Sequence, residues 1–168
     1  MNGIIIYQGK YGATEQYAHW LGTALSLKCL DARDVTPAYL TGHDPIILGS
    51  SVYMGKLVIG KWLQEYADAL AGKKVLLFIV CGAAANDAGQ QQKLIASNLD
   101  ATITLATQVF FVPGRCVVSK LSWKDRFILK MGAWLQKDTV KKVVMTQGFD
   151  RMDQKNLAPL IAAAGRYL

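Results

Sequence analysis

Apolar residues in this chain occur in two patterns. Some form short unbroken runs, and others recur every three or four positions. Gly3-Ile-Ile-Ile-Tyr7 is the first run and predicts a strand buried on both faces. Thr14 to Leu27 places Tyr17, Ala18, Leu21, Ala24 and Leu25 at helical spacing, with Thr14 and Glu15 suited to a first turn. Leu27 to Leu30 reads as a short second strand, and Ile46 to Leu48 as a third, closed by Gly49. Val58 to Leu70 predicts a helix with Trp62, Leu63, Tyr66 and Leu70 on one face, stopped by Gly72. Val75 to Val80 is the strongest strand, Ala88 to Leu99 a helix, and Ala106 to Val112 a fifth strand ended by Pro113-Gly114. Trp123 to Leu135 and Asp153 to Tyr167 read as closing helices.

Strands alternate with helices, and the strands are continuous apolar runs. Both features predict an α/β fold: a doubly wound five-stranded parallel sheet in a three-layer sandwich. Residues 1–168 suit one hydrophobic core and hence a single domain. Ligands of such sheets sit beyond the carboxyl ends of the strands. The loops after Tyr7, Leu48 and Val80 are therefore the places to seek chemistry.

Composition narrows the classes. A hydrophobic fraction of 52% excludes a disordered chain. Cys29, Cys81 and Cys116 are far apart and form no Cys-x-x-Cys, so neither a disulfide framework nor a zinc knuckle is indicated. Two histidines, His19 and His43, cannot build a multi-histidine metal site, and no metal is expected. The longest uncharged apolar stretch, Val75 to Ala85, falls far short of the roughly 20 residues of a spanning helix. No targeting segment is visible, and the expected location is cytoplasmic.

The first loop, Gln8-Gly-Lys-Tyr-Gly-Ala-Thr14, joins a buried strand to a helix N-terminus, where free backbone N–H groups favour an anion. Gly9 and Gly12 let the backbone curl round a phosphate. Thr14 offers a hydroxyl, and Lys10 offers charge. A tight strand–helix turn with a capping threonine is the simpler alternative. The spacing Gly9-x-x-Gly12 is not a dinucleotide fingerprint, and Gly49 to Lys56 is not a Walker loop. The second loop, Gly49-Ser-Ser-Val-Tyr-Met-Gly-Lys56, can lie along a flat ring with Tyr53 or Met54 stacked on it. The third, Cys81-Gly-Ala-Ala-Ala-Asn86, is small and uncharged. Cys81 reads as a buried small residue, because nothing is placed to activate it. His19 reads as a surface or packing residue, and Trp20, Trp62 and Trp134, on helices, read as packing residues.

Four segments carry a family resemblance. Lys10-Tyr-Gly-Ala-Thr-Glu-Gln-Tyr-Ala-His-Trp-Leu21 resembles the first loop and helix of flavodoxin-domain proteins. The look is closest to the branch containing menaquinone-dependent protoporphyrinogen dehydrogenase. Gly49 to Lys56, the segment Ser119 to Lys130 and the segment Asp153 to Ile161 resemble that branch's second flavin loop, late basic helix and C-terminal helix. The resemblance implies a flavodoxin-like fold and non-covalent FMN. The cofactor residues it implies are Gly9, Lys10, Tyr11, Gly12, Ala13, Thr14, Ser50, Ser51, Val52, Tyr53, Met54, Gly55, Cys81, Gly82 and Ala83. It also implies that the Met54-Gly55 peptide turns to meet N5 of the reduced flavin. The function implied is electron transfer to a partner protein or small substrate. Two alternatives stand beside it: a protoporphyrinogen- or quinone-linked dehydrogenase, and a cofactor-free binding module.

Charge adds one feature. Residues 1–112 are balanced, and the whole net charge of +7 lies in residues 113–168, with eleven Lys/Arg against four Asp. Phe127, Met131, Trp134 and Leu135 follow helical spacing within this basic third. The simpler expectation is a helix whose apolar face packs on the sheet. The alternative is peripheral contact of residues 115–142 with an anionic membrane, at its inner face, or with an acidic redox partner. Nucleic acid is not expected, since no recognition motif accompanies the charge.

Overall fold

Every second side chain of the central strands points to the same face, and this alternation divides the interior into two cores. A computed structural model describes residues 2–100, 103 and 107–168. Its strands are β1 (Ile4–Gln8), β2 (Lys28–Asp31), β3 (Ile46–Tyr53), β4 (Lys56–Leu57), β5 (Val75–Cys81) and β6 (Thr107–Pro113). Five of them pair in parallel in the order β2-β1-β3-β5-β6, and β4 folds back antiparallel on β3.

Ile4, Ile6, Ile46, Leu48, Val75, Leu77 and Ile79 face one core. Helices α2 (Pro37–Leu40), α3 (Gly60–Glu65), α4 (Ala67–Leu70) and α5 (Ala88–Asn98) flank this side, with Leu40, Trp62, Leu63 and Leu70 buried against it. Ile5, Tyr7, Ile47, Leu76, Phe78 and Val80 face the other core. There Tyr17, Ala18 and Leu21 of α1 (Ala13–Leu25) meet Leu160, Ala163 and Ala164 near the C-terminus. Both faces are therefore covered, which is why the strands carry no polar alternation. The expected doubly wound, three-layer flavodoxin-like architecture is what the chain adopts. Each fully buried Ile or Leu contributes about 1.5–3 kcal/mol relative to exposure.

Close packing fixes one glycine of the sheet. A Cβ on Gly49 would run into the ring of Phe78, its register partner on β5. Gly49→Ala should therefore cost about 2 kcal/mol by overpacking. A lowered urea midpoint with an unchanged m-value would report it, and an unchanged midpoint would show that the Phe78 ring moves aside.

Several elements differ from expectation. β3 does not stop at Leu48 but runs to Tyr53, because parallel bonding to β5 continues through Ser51↔Val80 and the chain then turns into β4. The expected helix 58–70 is two short helices with a break at Tyr66, whose ring stacks on Trp62 at 4.3 Å. The C-terminal helix begins as a 3-10 turn at Gln154–Leu157, and its α part, α8, spans only Ala158–Ala164. After β6 come a small antiparallel pair, β7 (Arg115–Cys116) with β8 (Phe149–Asp150), and between them α6 (Trp123–Leu135) and α7 (Thr139–Gln147). Ala106, expected to open the fifth strand, lies outside the described residues.

The largest correction concerns α6. Its boundaries are as expected, but Phe127, Met131, Trp134 and Leu135 do not pack on the sheet and are exposed. Trp134, expected to be a packing residue, is 80% exposed. The sheet's second face is already filled by α1 and the C-terminal segment, so α6 sits at the carboxyl edge of the strands instead. No helix among the described residues is long and apolar enough to cross a membrane.

Candidate functional site

The site begins where β1 releases the chain. Gly12 takes φ +80°, a left-handed conformation that glycine adopts without steric cost. It is the N-cap of α1, and no side chain caps the helix there. The first N–H groups of α1 and the positive end of its dipole are thus left facing the space before the helix. Thr14 is 1% exposed, and its Oγ1 has no hydrogen-bond partner. Ser51 Oγ, at the end of the neighbouring strand, is also buried without a partner. A Cβ on Gly9 would meet Thr14 Oγ1 at 2.7 Å and Ser51 Oγ at 3.8 Å, so the two hydroxyls converge over Gly9. A buried hydroxyl left unpaired costs about 1–3 kcal/mol, and an incoming acceptor removes that penalty. Arg115 brings its guanidinium to the same loop, with Nη2 3.7 Å from the position of a Cβ on Gly12.

These groups open into a cavity of about 320 Å³ above the carboxyl ends of β1, β3 and β5. Lys10, Tyr11, Ala13, Thr14, Ser51, Val52, Tyr53, Met54, Cys81 and Gly82 line it, so the structure brings the three inspected loops together. Gly9 and Gly12 are not among its lining residues; they belong to the loop that carries Lys10, Tyr11, Ala13 and Thr14 to it. Ser50 points away from it: fully buried, its hydroxyl donates to Ser51 O at 3.0 Å and accepts from Ile59 N at 3.3 Å. Gly55 faces a second hollow of about 470 Å³ that shares Val52, Cys81 and Gly82. The side chain of Ala83 lies outside the described residues. Met54 and Gly55 are the two turn residues of the β3–β4 hairpin, with φ 50° and 76°. Positive φ at both positions is the geometry of a type I′ turn, and for Met54 it is a local strain.

A carboxylate joins the loops. Asp125 on α6 accepts a hydrogen bond from Tyr53 Oη at 2.6 Å and another from Tyr11 Oη, and it pairs with Lys10 Nζ at 2.9 Å. Lys10 also lies over the Tyr53 ring, 3.3 Å from its centroid. The bonds from Tyr11, Tyr53 and Lys10 hold the Asp125 carboxyl well below the usual carboxylate range, against the opposing effect of burial. Burial works against the Lys10 ammonium, but its bonds to Tyr53 and Asp125 outweigh it and raise its pKa. The helix, the first loop and the hairpin are thereby tied at one charged point.

The far wall is made of residues that the loop reading did not single out. Gly114, Arg115 and Cys116 come from the end of β6 and from β7, Leu121, Asp125, Ile128 and Leu129 from α6 and its approach, and Phe149 from β8. The third loop has no aromatic of its own, yet the Phe149 ring stands 3.3 Å from a Cβ position on Gly82. One signal for Asp125 was present in the sequence. Ser122-x-x-Asp125 is a capping-box pattern, and Ser122 Oγ accepts from Asp125 N at 3.2 Å. Phe149 and Arg115 carry no such signal, because only the β7–β8 pairing brings them here.

The arrangement can hold an anion over Gly9 to Thr14 and a flat, largely apolar group against Val52, Tyr53 and Phe149. It does not supply a thiolate. Burial pushes the Cys81 thiol up to about 11, so it stays protonated at neutral pH. We expect Cys81 to react with a thiol reagent at pH 7 more slowly than the less buried Cys29 and Cys116, by mass spectrometry of labelled peptides; preferential labelling of Cys81 would contradict this. Among the described residues no group of His, Cys, Asp and Glu could hold a metal ion.

Comparison with known proteins agrees with the fold. The two-electron reduced flavodoxin of Megasphaera elsdenii superposes with a TM-score of 0.50 at 21% identity, over 66% of this chain and 84% of that one. A flavodoxin from the domain Archaea gives 0.48 at 17% identity, over 67% and 85%. A search of curated proteins finds no match. The flavodoxin domain matches residues 4–142, which is most of the sequence. The chain belongs to the flavodoxin domain family.

Proposed function

We propose that this chain binds FMN non-covalently and passes electrons between it and a redox partner or a small substrate. The observation that carries this reading is the pair of buried, unpartnered hydroxyls of Thr14 and Ser51, converging at the uncapped start of α1. They suit a phosphate, which is all acceptor, and Arg115 nearby supplies charge. When bound, the flavin supplies one- and two-electron transfer, chemistry that no side chain here offers. The protein's own part is to hold the phosphate over Gly9 to Thr14, to give the ring apolar walls at Val52 and Phe149, and to keep Asp125 deprotonated at the hairpin.

Titration of the cofactor-free protein with FMN and with riboflavin tests the reading. Thr14→Val removes one hydrogen bond to a charged group, worth about 1.5–3 kcal/mol, and should weaken FMN at least tenfold while leaving riboflavin unchanged. Equal loss for both ligands would remove the phosphate assignment. A protein that takes up neither flavin would be a binding module instead.

The hairpin bears on the potentials. Gly55 has φ 76°, which a β-branched residue resists. Gly55→Val should therefore shift the separation of the two one-electron couples, by about 60 mV for each tenfold change in equilibrium. Unchanged couples in a folded, FMN-loaded variant would leave the Met54-Gly55 peptide without that role.

A second reading follows from the apolar far wall of Leu121, Ile128, Leu129 and Phe149. Those side chains favour an apolar small reactant, a quinone or a porphyrinogen, as in the dehydrogenase branch that the sequence resembles. Turnover of protoporphyrinogen with a quinone would assign that activity. Reduction by a protein partner without such turnover would assign an electron carrier.

A further inference from the structure

Helix α6 has two working faces. Asp125, Ile128 and Leu129 look toward the cavity, and the opposite side carries Trp123, Phe127, Met131 and Trp134 in one stripe at helical spacing. The stripe is uncovered: Trp123 is 73% exposed, Phe127 61%, Trp134 80% and the adjoining Leu135 67%. Lys124 and Lys130 flank it, Lys120 precedes it and Lys137 follows it, all exposed. The helix's one acidic residue, Asp125, is turned inward against Lys10 and the two tyrosines.

We propose that this face of α6 docks on an anionic lipid bilayer, with the helix lying in the plane of the interface. The composition of the face fits that occupant. Its two tryptophans mark the two ends of a helix of about 20 Å, at the same depth, where an indole prefers the boundary between headgroup and chain. Lysines on both flanks bury their stems and keep their ammonium groups among the headgroups. A second copy of this chain fits badly, since a two-fold contact would set Lys124 and Lys130 against like charges. The bulk of the excess charge follows residue 113, so the rest of the molecule does not oppose the approach. Docked this way, the cavity lies one helix thickness, about 10 Å, from the bilayer surface. The proposal does not depend on the flavin, because the face is built by residues that do not line the cavity.

Flotation of the full chain with vesicles decides it. Vesicles of phosphatidylglycerol and phosphatidylcholine should carry the protein upward at low salt, while pure phosphatidylcholine should carry much less. Raising the salt should release it, and tryptophan emission should shift to the blue on binding. Lys124→Glu with Lys130→Glu should weaken binding by at least about thirtyfold. Trp123→Ser with Trp134→Ser should abolish the blue shift. Both pairs are exposed, so the melting temperature and flavin uptake should stay near those of the parent; this separates loss of docking from loss of the cofactor site. No flotation with anionic vesicles at low salt would overturn the proposal. So would equal binding to neutral and anionic vesicles, a dimer in solution that shields both tryptophans, or salt-sensitive capture by an acidic protein without any vesicle binding.

Discussion

Gly12→Val should lower the affinity for FMN on the order of a hundredfold while changing riboflavin binding by less than about threefold. Gly12 stands at φ +80° as the N-cap of α1. A non-glycine residue held there costs about 1–3 kcal/mol, and a β-branched one lies at the upper end. The loop must either bear that strain or leave the left-handed region. If it leaves, the first N–H groups of α1 and the Thr14 hydroxyl no longer face one point, and the loss falls on the phosphate. Arg115→Gln makes the complementary test, because it removes charge without touching the loop backbone. A charge-assisted bond to a phosphate is worth about 1.5–3 kcal/mol, so this change should weaken FMN at least tenfold, and less so at high salt. Fluorescence titration with both flavins at two salt concentrations reads all of these effects. An FMN-to-riboflavin ratio unchanged in both variants would move the phosphate away from this loop.

Asp125→Ala should destabilise the fold by about 3 kcal/mol, or roughly 6–12 °C in melting temperature for a domain of this size. Removing the carboxylate leaves Tyr11, Tyr53 and Lys10 without their common acceptor. Lys10 is partly exposed and regains water, so the loss falls mainly on the two tyrosine bonds. Asp125→Asn keeps the shape and removes the charge, and it isolates the dependence on pH. The folded-state pKa of Asp125 lies below the ordinary value of about 3.9. As pH falls, the unfolded chain therefore takes up this proton first. The stabilisation is complete above about pH 5 and disappears as pH falls below about 4 through the folded-state value. The gap in melting temperature between parent and Asp125→Asn should be constant from about pH 5 to 8 and should close at lower pH. A gap that does not narrow at all between about pH 5 and pH 3 would mean that the carboxylate's charge is not what ties the loops together.

The candidate site was legible in the sequence where it depends on neighbours along the chain. Gly9, Gly12 and Thr14 form a strand–loop–helix junction within a few residues, and such a junction shows its purpose locally. The second loop was legible in content but not in shape. Tyr53 and Met54 belong to a hairpin, because the bonding of β3 to β5 extends past Gly49. The far wall was not legible. Arg115 and Asp125 meet the first loop across more than a hundred positions, and Phe149 reaches Gly82 of the third loop from a distant segment; no periodicity links such partners.

Helical spacing placed α6 correctly at Trp123–Leu135, but spacing states only that an apolar stripe exists, not what covers it. Competition for the sheet decided that. Leu157, Leu160, Ala163 and Ala164 take the place beside α1, and α6 is left at the strand ends with its tryptophans outward. Continuous apolar runs alternating with amphipathic ones by themselves determined the parallel, doubly wound sheet, because burial on both faces leaves no other arrangement for such strands. The flexible choices fell to the tertiary structure: which helix covers which face, where Asp125 points, and which aromatic meets Gly82. Each depends on contacts between distant segments, whose energies are settled only when the whole chain is packed.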